Sequence, residues 1–283
     1  MKFSFARFFT FVVVIVFSQA CSLSDNISKN EVAPSDDPVI GATIDSKILE
    51  YIGNNSAISY FEPADYPAVY TYIDDLRQKI EQHNPPANST NYGLDSPTIT
   101  TNSCATHIRV IDQSNVTNAF VVPGNYVYLY KDLLLKIKTE AQFVAVLTHL
   151  ITCSRERFPI QKLEDRFSVN FLLDLSLGGG LNSSSSIDIK TIMDELENVP
   201  YPVSVVEHLD TKAESKLCEL DYDILSYSNL FTDMSSQNLD WYTLFPRPSI
   251  TDYATHLFND VSSPSCSGEE DGSNAYTAFK QLF

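Results

Sequence analysis

The chain has 283 residues, with 36 acidic and 19 basic side chains and a formal net charge of −17. So strong a negative charge argues against nucleic acid and against anionic membrane surfaces as partners, because both are polyanions. An apolar content of 43% is enough to build the core of one large globular domain or of two small ones.

Residues 1–20 have the layout of a secretory signal peptide. Lys2 and Arg7 precede an apolar run over residues 8–17, which is too short to span a bilayer. The small residue before Cys21 resembles the bacterial lipobox, and this implies that Cys21 is acylated and becomes the mature N-terminus. Ordinary cleavage that leaves Cys21 as a thiol is the alternative.

The segment that follows resembles the tether of a lipoprotein. Residues 21–46 are polar and acidic, which is typical of a flexible, lipid-anchored linker, and we place one globular domain over 47–283. By resemblance to Gram-negative sorting, Ser22 indicates the outer membrane. We therefore expect a protein anchored in the bacterial cell envelope, at its periplasmic face, that reaches the membrane through the lipid on Cys21.

Four cysteines remain beyond the lipobox, and an even number in an oxidising compartment favours disulfides. Three pairings are possible, and the sequence does not choose among them. The residues concerned are Cys104, Cys153, Cys218 and Cys266.

The first half of the domain alternates between helical and strand-like patterns. Apolar side chains at helical spacing predict a helix over 65–82. Residues 107–111, 118–122 and 126–130 have the composition and alternation of strands. The second and third of these strands flank the short turn Pro123–Asn125, which predicts a hairpin.

The second half is predominantly helical. Residues 139–157 are apolar around most of the helix, which is typical of a core helix, and Pro159 closes it. Further helices are predicted over 165–177, 187–199 and 203–229, with an irregular tail beyond Trp241. The whole pattern predicts an α+β fold that is mostly helical with a small β-sheet.

The most specific motif lies in residues 118–130 and 140–149. These read N-A-F-V-V-P-G-N-Y-V-Y-L-Y and E-A-Q-F-V-A-V-L-T-H, with Leu-Leu-Leu between them. Their order and spacing resemble the zinc metallopeptidase family of HtpX and the CAAX prenyl proteases, peptidase family M48, and its periplasmic lipoprotein members in particular. The resemblance implies a zincin-like (gluzincin) fold, with the sheet beside a core helix centred on His149.

The zinc motif of that family, H-E-x-x-H, is altered in this chain. Its two histidines bind zinc one helical turn apart, and its glutamate takes a proton from the zinc-bound water. Here His149 is kept, Leu150 occupies the position of the base, and Cys153 replaces the second histidine. Because leucine cannot accept a proton, the comparison predicts no catalytic residue.

The third zinc ligand of the family comes from a later helix. The counterpart here is the segment that begins at Asp210, which stands for the ligand, and ends at Glu214, which stands for a supporting carboxylate. Glu207 and His208 are the alternatives in a different register.

Two interpretations of these residues remain open. His149, Cys153 and Asp210 are all zinc-competent, so they could form a degenerate metal site. In the other interpretation His149 is hydrogen-bonded in the core, and Cys153 is a buried thiol or half of a disulfide. We expect no bound cofactor, with zinc as the alternative.

The strand that carries the N-A-F-x-x-P-G motif has both a functional and a structural explanation. In the family it is an edge that receives an extended peptide through main-chain hydrogen bonds. This predicts a peptide-binding edge at Asn118, Ala119, Phe120, Pro123 and Gly124. The same residues could equally fill the core and form a turn.

These features predict a catalytically degenerate, metallopeptidase-like lipoprotein of the cell envelope, a pseudopeptidase that binds an envelope protein or peptide. The alternative is an active zinc metalloendopeptidase with a remodelled site, acting in envelope protein quality control. A structural protein without a peptide groove is a third hypothesis.

Overall fold

The computed structural model describes residues 32–82, 105–177, 179, 181, 187–236, 268 and 271–283. The predicted signal peptide, Cys21, Cys104 and Cys266 lie outside the described residues, and so does the first part of the predicted tether. What the sequence predicts for them stays a prediction.

Helices make up most of the described chain, and four strands lie in its first half. The helices are α1 (Asp37–Gly53), α2 (Pro67–Gln82), α3 (Lys131–Lys136), α4 (Glu140–Arg155), α5 (Phe158–Arg166), α6 (Val169–Ser176), α7 (Ile189–Asn198), α8 (Val203–Glu219), α9 (Leu225–Ser236) and α10 (Ser273–Lys280). The strands are β1 (Ile58–Tyr60), β2 (His107–Gln113), β3 (Ala119–Val122) and β4 (Tyr126–Tyr130).

The strands form one mixed sheet in the order β1-β2-β4-β3. β2 and β4 run parallel, with Ile108 opposite Val127, whereas β1 and β3 are antiparallel to their neighbours. β3 and β4 form the predicted hairpin, in which Phe120 lies opposite Tyr128. β3 is therefore one edge of the described sheet.

Both faces of this sheet are buried, because alternate side chains of each strand point into different parts of the core. In β4, Val127 and Leu129 pack into the first core cluster, whereas Tyr128 and Tyr130 pack into the second. A sheet buried on both faces loses the polar–apolar alternation of a half-exposed one, which is why β4 is apolar or aromatic throughout.

A layer of helices covers each face. The first core cluster is completed by side chains from α2, α4, α8, α9 and α10, and the second by side chains from α1, α5, α6 and α7. The architecture is thus a small sheet between two helical layers, which confirms the predicted α+β fold that is mostly helical. α4 lies at the centre of the first layer, directly against the sheet.

The predicted boundary of the tether at residue 46 is wrong. α1 begins at Asp37, and Ile40, Ile44 and Ile48 are fully buried in the second cluster. Their spacing of four residues places them on one helix face. This helical stripe is present in the sequence, but the polar and acidic residues around it led to the prediction of a linker.

Two predicted helices are each split in the structure. The segment 165–177 contains the end of α5 and all of α6, and Pro159 opens α5 rather than only closing the helix before it, as a proline in a first helical turn can. The segment 203–229 is divided into α8 and α9 at Asp221, whose φ is +63°. The tail also contains α10, which the sequence analysis missed.

Among the helices that the structure describes, none is both long enough and apolar enough to span a membrane.

Candidate functional site

α4 carries the residues at which the sequence predicts the site. Thr139 caps its N-terminus, since the Thr139 hydroxyl accepts a hydrogen bond from the backbone N–H of Gln142 at 3.1 Å. Most of the helix is buried, including His149, Leu150 and Cys153. A helix that is apolar around its whole circumference has to lie inside the protein, and this fixes the three side chains in a solvent-poor environment.

His149 is hydrogen-bonded directly to the acidic residue that was predicted to share its metal. α8 packs beside α4 and places Asp210 Oδ1 2.9 Å from His149 Nδ1. Both residues are buried. Because an ionised carboxylate only accepts hydrogen bonds, this contact assigns the proton to Nδ1 of the imidazole.

A third side chain, Tyr227 of α9, completes the arrangement. Its hydroxyl donates a hydrogen bond to Asp210 Oδ1 at 2.6 Å and lies 3.3 Å from His149 Nδ1. Tyr227 is fully buried. Buried polar groups are stable when they satisfy one another, and these three form such a network between α4, α8 and α9.

Two other candidate residues of α8, Glu214 and His208, lie beside this network or apart from it. Glu214 is buried one turn further along the same helix. His208 instead faces the end of α4, where its Nε2 lies 2.7 Å from Glu156 Oε2 in an exposed contact. The alternative alignment that uses His208 as the ligand therefore does not apply, because Asp210 of α8 contacts His149 whereas His208 contacts Glu156.

Cys153 does not join His149 and Asp210. It is a free, buried thiol, with Tyr201 and Lys162 as its polar neighbours. Burial raises the pKa of the Cys153 thiol to about 12, so it is protonated at neutral pH. Since the thiolate is the form that binds metal or attacks carbon, Cys153 is suited to neither role here. Of the two interpretations that the sequence leaves open, the described structure agrees with the buried thiol, and the degenerate metal site stays a prediction.

Lys162 is a buried amine near Cys153. Its Nζ donates a hydrogen bond to the carbonyl oxygen of Val199 at 2.6 Å and lies 3.5 Å from the centre of the Tyr201 ring. Burial lowers the pKa of Lys162 to about 8. The charged amine is therefore less favourable in the folded protein than in water.

This depressed pKa gives a testable pH dependence. Between pH values of about 8 and 10.5 the unfolded chain holds the Lys162 proton more tightly than the folded one, so stability should rise with pH in that window. We expect the Lys162 contribution to increase by about 2 kcal/mol between about pH 7 and about pH 9.5. Urea unfolding at a series of pH values measures it.

The matched comparison for this prediction is Lys162→Met, which keeps the length of the side chain without its charge. Cys153 acts in the opposite sense above its unfolded pKa, since its folded pKa is raised. The charges of Cys153 and Lys162 also favour each other, so the difference between the two proteins reports Lys162 together with this coupling. Parallel stability curves for both proteins would contradict the assignment.

Leu150 lies on the wall of a very small cavity between α4 and β3. The cavity is also lined by His149, Cys153, Tyr201 and the Ala119–Val121 stretch, and its volume is about 10 Å³. That is room for roughly one water molecule. Leu150 is 3% exposed, and its aliphatic side chain offers no proton acceptor at the position of the family's base.

The predicted peptide-binding edge is packed inside the protein at the level of its side chains. Ala119 and Phe120 are buried, and the Phe120 ring stacks on Tyr128 with centroids 4.8 Å apart. Asn118 accepts a hydrogen bond from the backbone N–H of Ala119 at 2.8 Å and donates one to the carbonyl oxygen of Glu197 at 3.3 Å. Asn118 therefore connects the start of β3 to α7.

Pro123 and Gly124 lie in the hairpin turn and against α1. Gly124 has a φ of +73°, which favours glycine, and a Cβ there would lie 2.7 Å from the carbonyl oxygen of Asp37. A Cβ on Gly41 would lie 2.0 Å from the carbonyl oxygen of Pro123. These contacts give the Pro-Gly pair a structural role, and peptide binding at this edge stays a prediction.

Comparison with known protein families gives one match on this part of the chain. Residues 99–155 match the sequence model of peptidase family M48. This stretch, called the M48 segment below, is therefore similar to that family. Comparison with curated proteins gives no match. In the described part of the chain the M48 segment runs from the approach to β2 to the end of α4, and the α+β architecture around it is zincin-like.

Peptidase family M48 generally uses a zinc ion, and the candidate ligands in this chain are His149, Cys153 and Asp210. Among the described residues, no three His, Cys, Asp or Glu side chains are grouped so that they could hold a metal ion. His149 and Asp210 bond to each other, and Cys153 faces Tyr201 rather than that pair. As arranged, these residues do not fit a zinc centre, which needs at least three protein ligands around one point.

The residue that the sequence analysis missed is Tyr227. No motif marks it, and the prediction of a single helix over 203–229 would have carried it away from α4. The left-handed conformation at Asp221 ends α8 and lets the chain return as α9, which brings Tyr227 to the M48 helix α4. Its signal in the sequence is weak, because a tyrosine among apolar residues is most often a core residue.

Proposed function

We propose that the chain is a catalytically inactive, metallopeptidase-like lipoprotein of the bacterial cell envelope that binds an envelope protein or peptide. The observation that carries the first part is the position of Leu150, whose aliphatic side chain faces the small cavity beside His149. Peptide hydrolysis by the family mechanism requires a proton acceptor at this place, and leucine has none.

The contacts of the imidazole support the same proposal. His149 Nδ1 is hydrogen-bonded to Asp210 Oδ1, and the Tyr227 hydroxyl donates to the same oxygen, so each of these buried groups has a partner. In the absence of zinc the network stabilises the junction of α4, α8 and α9. A chain that kept the helices but replaced the base and one histidine retains the framework of a peptidase without its chemistry.

The N-terminal segment supports a location in the cell envelope. Residues 8–17 and Cys21 resemble the signal peptide and lipobox of a lipoprotein, which supports anchoring at the periplasmic face of the outer membrane. The net charge of −17 supports a protein or peptide as partner in preference to nucleic acid. Labelling of cells with a palmitate analogue, compared between the natural chain and Cys21→Ala, tests the anchor.

Zinc content and proteolysis test the inactive state. We expect the purified full chain to hold much less than one zinc ion per molecule and to leave casein uncleaved. Leu150 stands at the position of the base, and among the described residues no three metal ligands converge. The double variant Leu150→Glu with Cys153→His restores the H-E-x-x-H pattern and should take up more zinc. Atomic absorption and a casein assay with and without chelator give the two readouts.

The matched control is Leu150→Gln with Cys153→His, which has the same size and the same second histidine but no carboxylate. Any hydrolysis that the first variant gains should be missing from the control. Stoichiometric zinc in the natural chain, together with casein cleavage that a chelator abolishes, would overturn the proposal in favour of an active metalloendopeptidase.

A further inference from the structure

A polar cleft of about 400 Å³ opens at the N-terminal end of β3, apart from the His149 network. Its walls come from the end of α1, the loop between β2 and β3, and α7. The polar residues that line it include Asn55, Gln113, Asn115, Asn118, Asp194 and Glu197. Its volume lies in the range of sites that hold a small ligand or a side chain of a partner.

Glu197 is the carboxylate that burial affects most strongly in this cleft. It is half-buried, and its side chain is hydrogen-bonded to the hydroxyl of Tyr130, which is itself buried. Burial raises the pKa of Glu197 above its ordinary value. A carboxylate in such a place is destabilised unless a positive charge accompanies it.

No cation of the described residues forms an ion pair with Glu197, and Lys190 favours its charge only from a greater distance. Among the residues that the structure describes, no Lys, Arg or His nitrogen lies within 4.0 Å of a Glu197 oxygen. Lys190 also lines the cleft, but its Nζ lies 2.6 Å from Asp194 Oδ2 and is paired there. A ligand that enters the cleft therefore meets the partly desolvated carboxylate of Glu197.

The rest of the lining suits a ligand that combines a positive charge with amide groups. Tyr51 supplies an aromatic ring to the wall, against which a cation can lie. The carboxamides of Asn55 and Asn115 can both donate and accept hydrogen bonds, as the backbone of a peptide requires. The charge of the whole chain draws cations towards it.

We propose that this cleft binds a primary ammonium group, supplied by the lysine side chain of a partner peptide, with Glu197 as its pairing carboxylate. The inference deepens the proposed function, since it gives the chemistry of the partner. It is tested without zinc and without hydrolysis, so the two proposals can fail separately.

Calorimetric titration of the full chain in detergent tests the proposal. The probes are the blocked peptide acetyl-Ala-Lys-Ala-amide, its glutamine counterpart acetyl-Ala-Gln-Ala-amide, and spermidine as a free amine. We expect the lysine peptide to bind at least about tenfold more tightly than the glutamine peptide, the ratio typical of one charge-assisted hydrogen bond. Equal affinity for the two peptides, or no binding of either, would overturn the proposal.

Three variants locate the charge. Glu197→Gln still accepts the Tyr130 hydroxyl but has no charge, and it should weaken the lysine peptide about tenfold. Glu195→Gln, on the same helix but outside the lining, is the matched control and should bind as the natural chain does. Lys190→Ala removes a competing cation and should tighten binding.

The thermal unfolding midpoints of the three variants show whether each has folded. Full affinity in a folded Glu197→Gln would place the ammonium elsewhere and refute the assignment. Binding of spermidine without binding of the lysine peptide would refute the peptide as the source and leave a site for free amines.

Discussion

Replacing Gly41 by alanine is expected to lower the free energy of unfolding by about 3 kcal/mol, because a methyl group at this contact forces α1 away from the hairpin turn. The added Cβ would lie 2.0 Å from the carbonyl oxygen of Pro123 and 3.1 Å from Cα of Gly124. Both are backbone atoms, so no side chain can turn aside to make room. Urea unfolding followed by circular dichroism measures the change.

Gly53→Ala, in the same helix, is the matched control. A Cβ there meets nothing within 4 Å, and alanine has the higher helix propensity, so this variant should be unchanged or more stable by about 0.5–1 kcal/mol. If both variants behaved alike, the close approach of α1 to the turn would not exist in solution.

This prediction bears on the meaning of the Pro-Gly pair in the M48 motif. α1 packs against Pro123 and Gly124, and its first residue is also bound from the turn between α4 and α5. There the Asp37 carboxylate accepts hydrogen bonds from Arg157 Nε at 2.7 Å and Nη2 at 3.0 Å. A large loss of stability in Gly41→Ala would show that the turn supports the N-terminal helix. Packing against α1 would then explain the Pro-Gly turn without a bound ligand.

Asp210→Ala should also destabilise the protein by about 3 kcal/mol. The substitution leaves the Nδ1 proton of His149 and the hydroxyl of Tyr227 buried without their acceptor, and each such group costs about 1–3 kcal/mol. Loss of one member of a buried pair has a cost of the same size. Denaturant unfolding gives the difference directly.

The matched control for Asp210→Ala is Lys212→Ala, at an exposed position of the same helix, which should stay within about 0.5 kcal/mol of the natural chain. Tyr227→Phe provides a second comparison, because it removes one hydrogen bond and leaves the ring, and should cost about 1 kcal/mol. An unaltered stability in Asp210→Ala would mean that the network is not formed in solution.

Local pattern was sufficient for much of the fold. The helical spacing around Ile73 predicts α2, the alternation around Val127 predicts β4, and the turn at Pro123–Asn125 predicts the hairpin, because each depends on residues close in the chain. The split of the 203–229 segment was not foreseen, since one left-handed residue, Asp221, decides it. α1 was missed because its buried isoleucines are diluted by polar neighbours.

The sequence by itself determined the chemistry that the M48 helix can offer: Leu150 at the position of the base is a fact of covalent structure, and no packing turns a methyl group into a proton acceptor. Only the tertiary structure decided which groups meet His149. Asp210 reaches it and Cys153 does not, and Tyr227 arrives from a helix with no motif. The reason is that contacts between helices depend on crossing angles and on the volume of every side chain between them, which spacing along the chain does not encode.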